Sequence, residues 1–170
     1  MTHRSIILVT LLIIVFVSNA YAAPDLQNER LTYFGLGEIK LGMTPTQVKN
    51  IGFYFTQEQI YLKGCDEVQL KINNKIEVMF EDGKITRIST TDPNILSYSG
   101  AHVGMSEQRA HEIYGSSIWL DNHKYIDGGH YLIVESSNSK YALVMGTDGK
   151  EIIELIAGFY EPAQYVEGCL

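Results

Sequence analysis

One phrase, written twice, constrains this chain more than anything else in it. Leu41–Gly52 reads LGMTPTQVKNIG and Val103–Gly115 reads VGMSEQRAHEIYG. Each is followed by apolar runs and then by an Asp-Gly pair, Asp82-Gly83 and Asp148-Gly149. The Gly-Met pairs stand 62 positions apart and the Asp-Gly pairs 66, so one order of elements recurs with a few extra residues in its second copy. Repetition on this scale marks a duplicated supersecondary unit and has to be settled before any single motif is interpreted.

The phrase has a local meaning. Thr44, Pro45 and Gln47 form a capping box with proline at the first helical position, the signature of a helix start. Ser106 caps the second copy, and Glu107 sits where the helix dipole favours negative charge. Val48 and Ile51 make one apolar face, Ala110, Ile113 and Tyr114 the other, and Gly52 and Gly115 stand at the helix stops. Two-turn helices are marginal alone, so both must be held by packing on a sheet. His111-Glu112 is half of a zinc-protease motif, but Ile113-Tyr114-Gly115 follows and the second histidine is absent. His111 is therefore expected on the solvent side of its helix.

The remaining pattern is β. In EVQLKINNKIEVMFEDGKITRI, Val68, Leu70 and Ile72 alternate with polar residues, as do Ile76, Val78 and Phe80. Keeping Ile72 and Ile76 on one face requires a three-residue loop, Asn73–Lys75. Asp82-Gly83 then makes a type I′ hairpin that sets Phe80 opposite Ile85. In the second half YLIV (131–134), YALVM (141–145) and EIIELIAG (151–158) are apolar on both faces. Such strands lie centrally with cover on each side, or they hold an apolar face ready for a partner. The stretch 89–100, STTDPNILSYSG, reads as a connector.

Residues 1–22 have the form of a secretory signal peptide: Arg4, an apolar run from Ile6 to Val17, and Ala20-x-Ala22 before the expected cut. The run of about twelve apolar residues is short of the roughly 20 a spanning helix needs. No cysteine adjoins the cut, so lipid attachment there is not expected. Losing Arg4 takes the net charge from −7 to −8. That balance argues against nucleic acid and anionic lipid and points to a basic or neutral partner in the periplasm or outside the cell. The two cysteines, Cys65 and Cys169, are expected to pair within the chain; two free thiols or an intermolecular bridge are the alternatives.

The densest polar cluster is DNHKYIDGGHY, Asp121–Tyr131. Trp119, His123, Tyr125, His130 and Tyr131 gather aromatic and hydrogen-bonding groups of the kind interface hot spots use, and form the candidate binding rim. Asp121, His123, Asp127 and His130 offer a mixed N/O metal set at a spacing that matches no defined metal loop. Alternate aromatics of this kind also serve as plain core. There is no G-x-S-x-G, and Gly35-Leu36-Gly37 lacks the rest of a phosphate loop. No catalytic, cofactor-binding or metal-ligating residue is assigned.

The repeated G-M-[ST]-x-helix-G followed by an antiparallel meander resembles the repeat of the BamE-like (SmpA/OmlA) outer-membrane-assembly lipoproteins and of the β-lactamase-inhibitory-protein family. The second half, with HKYIDGGHYL, TDGK and QYVEGC, is similar to small exported bacterial proteins of unknown function. The likeness covers roughly 35–165 and departs from the BamE-like pattern in lacking a lipid-carrying cysteine. It implies a helix-on-sheet fold and protein binding without catalysis.

The expectation is an α+β protein: signal peptide 1–22, N-terminal extension 23–34, and two tandem helix-plus-meander units, 35–92 and 93–170. Its expected role is to bind another exported or envelope protein without catalysis, as an inhibitor or immunity-type binder of a cell-envelope enzyme. The alternatives are an envelope-assembly or structural factor and a small-ligand or metal-binding periplasmic protein.

Overall fold

The capping residues act as their sequence dictates. In the computed structural model, which describes residues 25–26, 28–58, 60 and 63–169, Thr44 Oγ1 accepts the Gln47 amide at 3.3 Å. Gln47 Oε1 in turn accepts the Thr44 amide at 2.8 Å, which closes the capping box of helix α1, Pro45–Asn50. Ser106 accepts the Arg109 amide at the head of the second helix, Glu107–Tyr114, and Gly115 ends it at φ 54°. The expected signal peptide lies outside the described residues.

Before α1 come three short strands, β1 (Arg30–Thr32), β2 (Gly35–Leu36) and β3 (Ile39–Lys40). After it come β4 (Cys65–Leu70), β5 (Asn73–Glu81), β6 (Lys84–Thr90) and β7 (Leu96–Ser97). Beyond the second helix, α2, follow β8 (Ile118–Asn122), β9 (His130–Glu135), β10 (Tyr141–Thr147) and β11 (Ile152–Phe159). The protein is thus mixed α and β, mostly strand. Its strands form a four-stranded sheet, β3-β2-β1-β7, and a seven-stranded antiparallel sheet, β4-β5-β6-β11-β10-β9-β8.

The seven-stranded sheet crosses the expected boundary at residue 92, because β6 pairs with β11 through Thr90–Leu155 and Arg87–Gly158. The stretch expected as a plain connector also contains structure: β6 runs to Thr90, and β7 lies parallel to β1. The N-terminal extension contributes β1 to the same small sheet.

Both Gly-Met phrases dock on the sheet in the same way. The Gly42 amide donates to the Ile85 carbonyl and the Ile85 amide to the Met43 carbonyl, at 2.7 and 2.9 Å. Gly104 and Met105 make the matching pair with Ile152, both at 2.8 Å. Ile85 and Ile152 each follow an Asp-Gly turn. Asp82 and Gly83 take φ 46° and 73°, as a type I′ hairpin requires, and Phe80 does face Ile85. The first hairpin differs from expectation. Its turn is Lys71-Ile72, with Leu70 opposite Asn73, and Ile72 is exposed. Asn73 Oδ1 accepts the Lys75 amide, and a register shift at Gln69/Leu70 returns Ile76 to the buried face without a three-residue loop.

The core lies on one face of the large sheet. Val78, Phe80, Ile88, Leu143, Met145 and Leu155 meet Val48 and Ala110 of the helices and Leu31, Leu36 and Ile39 of the small sheet. The opposite face carries a second cluster, Ile133, Ala142, Val144 and Ile156, capped by Ala163 from a 3-10 turn at Pro162–Gln164. Strands β9 to β11 are therefore covered on both faces along part of their length. The cover is a C-terminal strap that folds back over the sheet and ends in the Cys65–Cys169 disulfide. Among the described residues no helix is long and apolar enough to cross a membrane.

Candidate functional site

Beside the strap the second face stays open. A cavity of about 470 Å³ forms between the 121–125 segment, strands β9 to β11 and the strap, within the range of small-ligand sites. Strand alternation decides which side chains reach it. Tyr131 points into it, and His123 stacks on the Tyr131 ring with centroids 4.5 Å apart and planes 23° apart. His123 Nδ1 accepts the amides of Tyr125 and Ile126, each at 3.2 Å, which puts the ring proton on Nε2. Burial also lowers the His123 pKa, so the neutral ring is the form held here.

Two of the glycine signals in this region have a packing cause. A Cβ at Gly129 would stand 2.6 Å from the Thr147 carbonyl oxygen, and one at Gly149 would stand 2.2 Å from that of Gly128. The loop before β9 and the Asp148-Gly149 turn thus touch backbone to backbone, which fixes the floor of the 122–129 segment. Tyr125 lines the cavity and hydrogen-bonds Glu167 of the strap through its hydroxyl; Lys124 pairs with the same carboxylate at 3.1 Å.

The candidate rim is divided by the sheet. His123, Tyr125 and Tyr131 come together at the cavity. Trp119 is on the same face, opposite Ile133 in the register, but stands outside the lining and is 73% exposed. His130, adjacent to Tyr131 in a strand, faces the other way. Its Nδ1 lies 3.0 Å from Glu107 Oε1, while Thr147 Oγ1 donates to Glu107 Oε2 at 2.6 Å. Burial pushes the Glu107 carboxyl up, but the Thr147 hydroxyl, His130 and His111 outweigh it and leave the pKa lowered. His111 lies 3.9 Å from Glu107. Of the mixed N/O set, Asp121 and His123 line the cavity while His130 is across the sheet, and no group of three His, Cys, Asp or Glu side chains converges among the described residues.

Sequence reasoning missed the cavity's charged floor. Arg87, 7% exposed, donates through Nη1 to the Tyr165 carbonyl at 2.7 Å and lies 3.6 Å from Glu67 through Nη2. Glu154 lines the cavity near it, hydrogen-bonded to Ser89. Burial raises the Glu154 pKa, against the opposing pull of Arg87 and Ser89. The available signal was alternation in β6, where Arg87 and Ser89 flank Ile88, but their neighbour Glu154 arrives only through the β6–β11 pairing. The arrangement offers recognition groups, namely stacked rings, the carboxylates of Asp121 and Glu154, and the apolar side chains of Ile133, Val144 and Ile156.

No protein-family model and no curated protein matches this chain. Among solved structures it is similar to the uncharacterized protein YfeY from Escherichia coli, at TM-score 0.49 and 13% identity over 76% of this chain and 99% of that one.

Proposed function

We propose that this chain is an exported, non-catalytic protein-binding protein whose partner is another exported or envelope protein. Inhibition of a cell-envelope enzyme, or immunity against one, is the most specific form of the reading. The observation that carries it is Trp119, 73% exposed on β8, an edge strand whose outer side is paired by no described strand. Leu120 is exposed on the same strand. Bare, apolar edges invite unwanted pairing and are usually blunted by lysine, proline or a bulge. β8 has none of these: its register with β9 is regular from Ile118 to Asn122. Such an edge suits strand addition by a partner, with the tryptophan as a hot-spot anchor.

Other features support the same reading. The matched docking of the two Gly-Met phrases favours tandem units of the BamE-like and inhibitor-like kind. The disulfide favours an oxidising compartment. The acidic balance favours a neutral or basic protein surface over nucleic acid. A second reading, a small-ligand binder, is favoured by the cavity beneath the strap. Affinity purification of the protein from envelope extract, run beside Trp119→Ala, tests the proposal. It predicts an envelope protein retained by the wild type and lost by the variant; equal retention by both would overturn the role given to β8.

A further inference from the structure

The register of β8 to β11 lays one transverse row across the cavity face: Asp121 beside Tyr131, Tyr131 beside Gly146, Gly146 beside Glu154. Gly146 contributes no side chain to that row. A Cβ placed there would stand 3.8 Å from the Glu154 Cβ and 4.0 Å from Tyr131 Cε1. Room for a methyl-sized group is therefore left between the edge of the Tyr131 ring and the Glu154 Cβ; Asp121, Tyr131 and Glu154 line the cavity, and Gly146 lies beside it in the same row. Gly146 is not at a positive φ, and a Cβ there would make ordinary van der Waals contacts, so neither backbone conformation nor crowding requires glycine at this place.

The charge is one-sided. Both basic side chains lining the cavity are engaged by groups of the strap or of β4: Arg87 by Glu67 and the Tyr165 carbonyl, Lys124 by Glu167. Among the described residues neither Asp121 nor Glu154 has an ion-pair partner within 4.0 Å, although the charge of Arg87 acts on Glu154 from further away. Asp121 accepts the Asn122 amide, and Glu154 is bonded to the Ser89 hydroxyl. The cavity thus presents two carboxylates and aromatic rings to an incoming group, with its own cations already matched. An anion would meet both carboxylates without a free guanidinium. Arg87 and the Ser89 hydroxyl offset part of the burial cost of the Glu154 carboxylate, and a bound cation would offset more of it.

We infer that this cavity binds an organic cation, an ammonium or guanidinium head held between the Tyr131 ring and the Glu154 carboxylate, where Gly146 leaves the row without a side chain. The ring quadrupole attracts a cation within about 6 Å of its centroid, and the carboxylate supplies a charge-assisted hydrogen bond. The inference deepens the protein-binding reading, on which it rests for its biological occupant: a basic side chain of a partner and a free amine carry the same head group.

The test titrates the full, disulfide-bonded chain with three probes, followed by NMR shifts and calorimetry. The probes are n-butylguanidinium, acetyl-Gly-Arg-Gly-amide and the same tripeptide with citrulline in place of arginine. Saturable shifts at Tyr131, Gly146 and Glu154 with the arginine peptide are expected, and none with citrulline. Binding of butylguanidinium as tightly as the peptide identifies the head group alone as sufficient; a tenfold preference for the peptide identifies a protein side chain as the occupant. Glu154→Gln, which keeps shape and removes charge, should weaken binding at least tenfold, and Gly146→Val, which fills that room, should do the same. Equal affinity for the citrulline peptide, unaltered affinity in Glu154→Gln, or no saturable shift with either cation would overturn the inference. Both cationic probes are small, so failure to capture a protein partner through β8 leaves this result standing, and the reverse also holds.

Discussion

The guanidinium of Arg87 donates to the backbone carbonyl of Tyr165 at 2.7 Å, joining the centre of the large sheet to the strap that covers it. Glu67 completes the join, since it lies 3.6 Å from the same guanidinium and accepts the Cys169 amide at 3.4 Å. Gly168 is required at that point: a Cβ there would stand 2.0 Å from Glu67 Oε2. A sheet residue, its carboxylate and the C-terminal disulfide thus act on one segment.

Removing that join should loosen the strap. Arg87→Met leaves Glu67 without its cation and the Tyr165 carbonyl without its donor, a cost of about 2–3 kcal/mol. The midpoint of urea unfolding should fall accordingly. Glu67→Gln in the same chain should recover part of the loss, because the uncompensated charge is then gone.

The disulfide closes a loop of sequence separation 104. Cys65→Ala/Cys169→Ala should lower stability by about 4.7 kcal/mol on the loop-entropy account. Limited proteolysis should then cut first within the strap, near Glu161–Tyr165, before any cut in β5 or β10.

The two caps should be separable from the site. Thr44→Ala and Ser106→Ala each remove an acceptor for a helix amide and should cost about 1 kcal/mol. Thermal melts measure the loss, and binding to the cationic probes should not change.

The pH dependence follows from two carboxylates shifted in opposite directions. Glu154 has its pKa raised by burial, so the native state holds its proton longer than the unfolded chain does. Its ionisation therefore removes stability as pH rises from the ordinary glutamate range through its raised value. Glu107 is lowered by Thr147 and His130 in spite of burial, so its contribution is present above the ordinary range and is lost as pH falls through the lowered value. Urea unfolding of Glu154→Gln should show a gain over wild type at pH 7 that shrinks toward pH 4; Glu107→Gln should show a loss at pH 7 that shrinks in acid.

What the sequence made legible is local. The Thr44-Pro45-Gln47 box, the Asp82-Gly83 turn and the apolar runs of β9 to β11 are set by neighbours within a few residues, and each takes the expected form. The first hairpin departs from its sequence pattern because the polar Asn73 reads as a turn residue, whereas its side chain accepts the Lys75 amide and β5 begins there. The rim residues His130 and Tyr131 were grouped by proximity in sequence, but adjacent residues in a strand point to opposite faces. Arg87 and Glu154 were illegible for a different reason. They become neighbours only when β6 and β11 pair, and nothing local marks a charge for burial.

Hydrogen exchange on the captured complex tests most directly whether β8 is the docking edge proposed for this chain. With a partner bound, the outward-facing amides of Ile118–Asn122 should exchange at least tenfold more slowly than in the free protein, while those of α1 stay unchanged. Unaltered exchange along β8, with protection appearing elsewhere on the surface, would contradict the account.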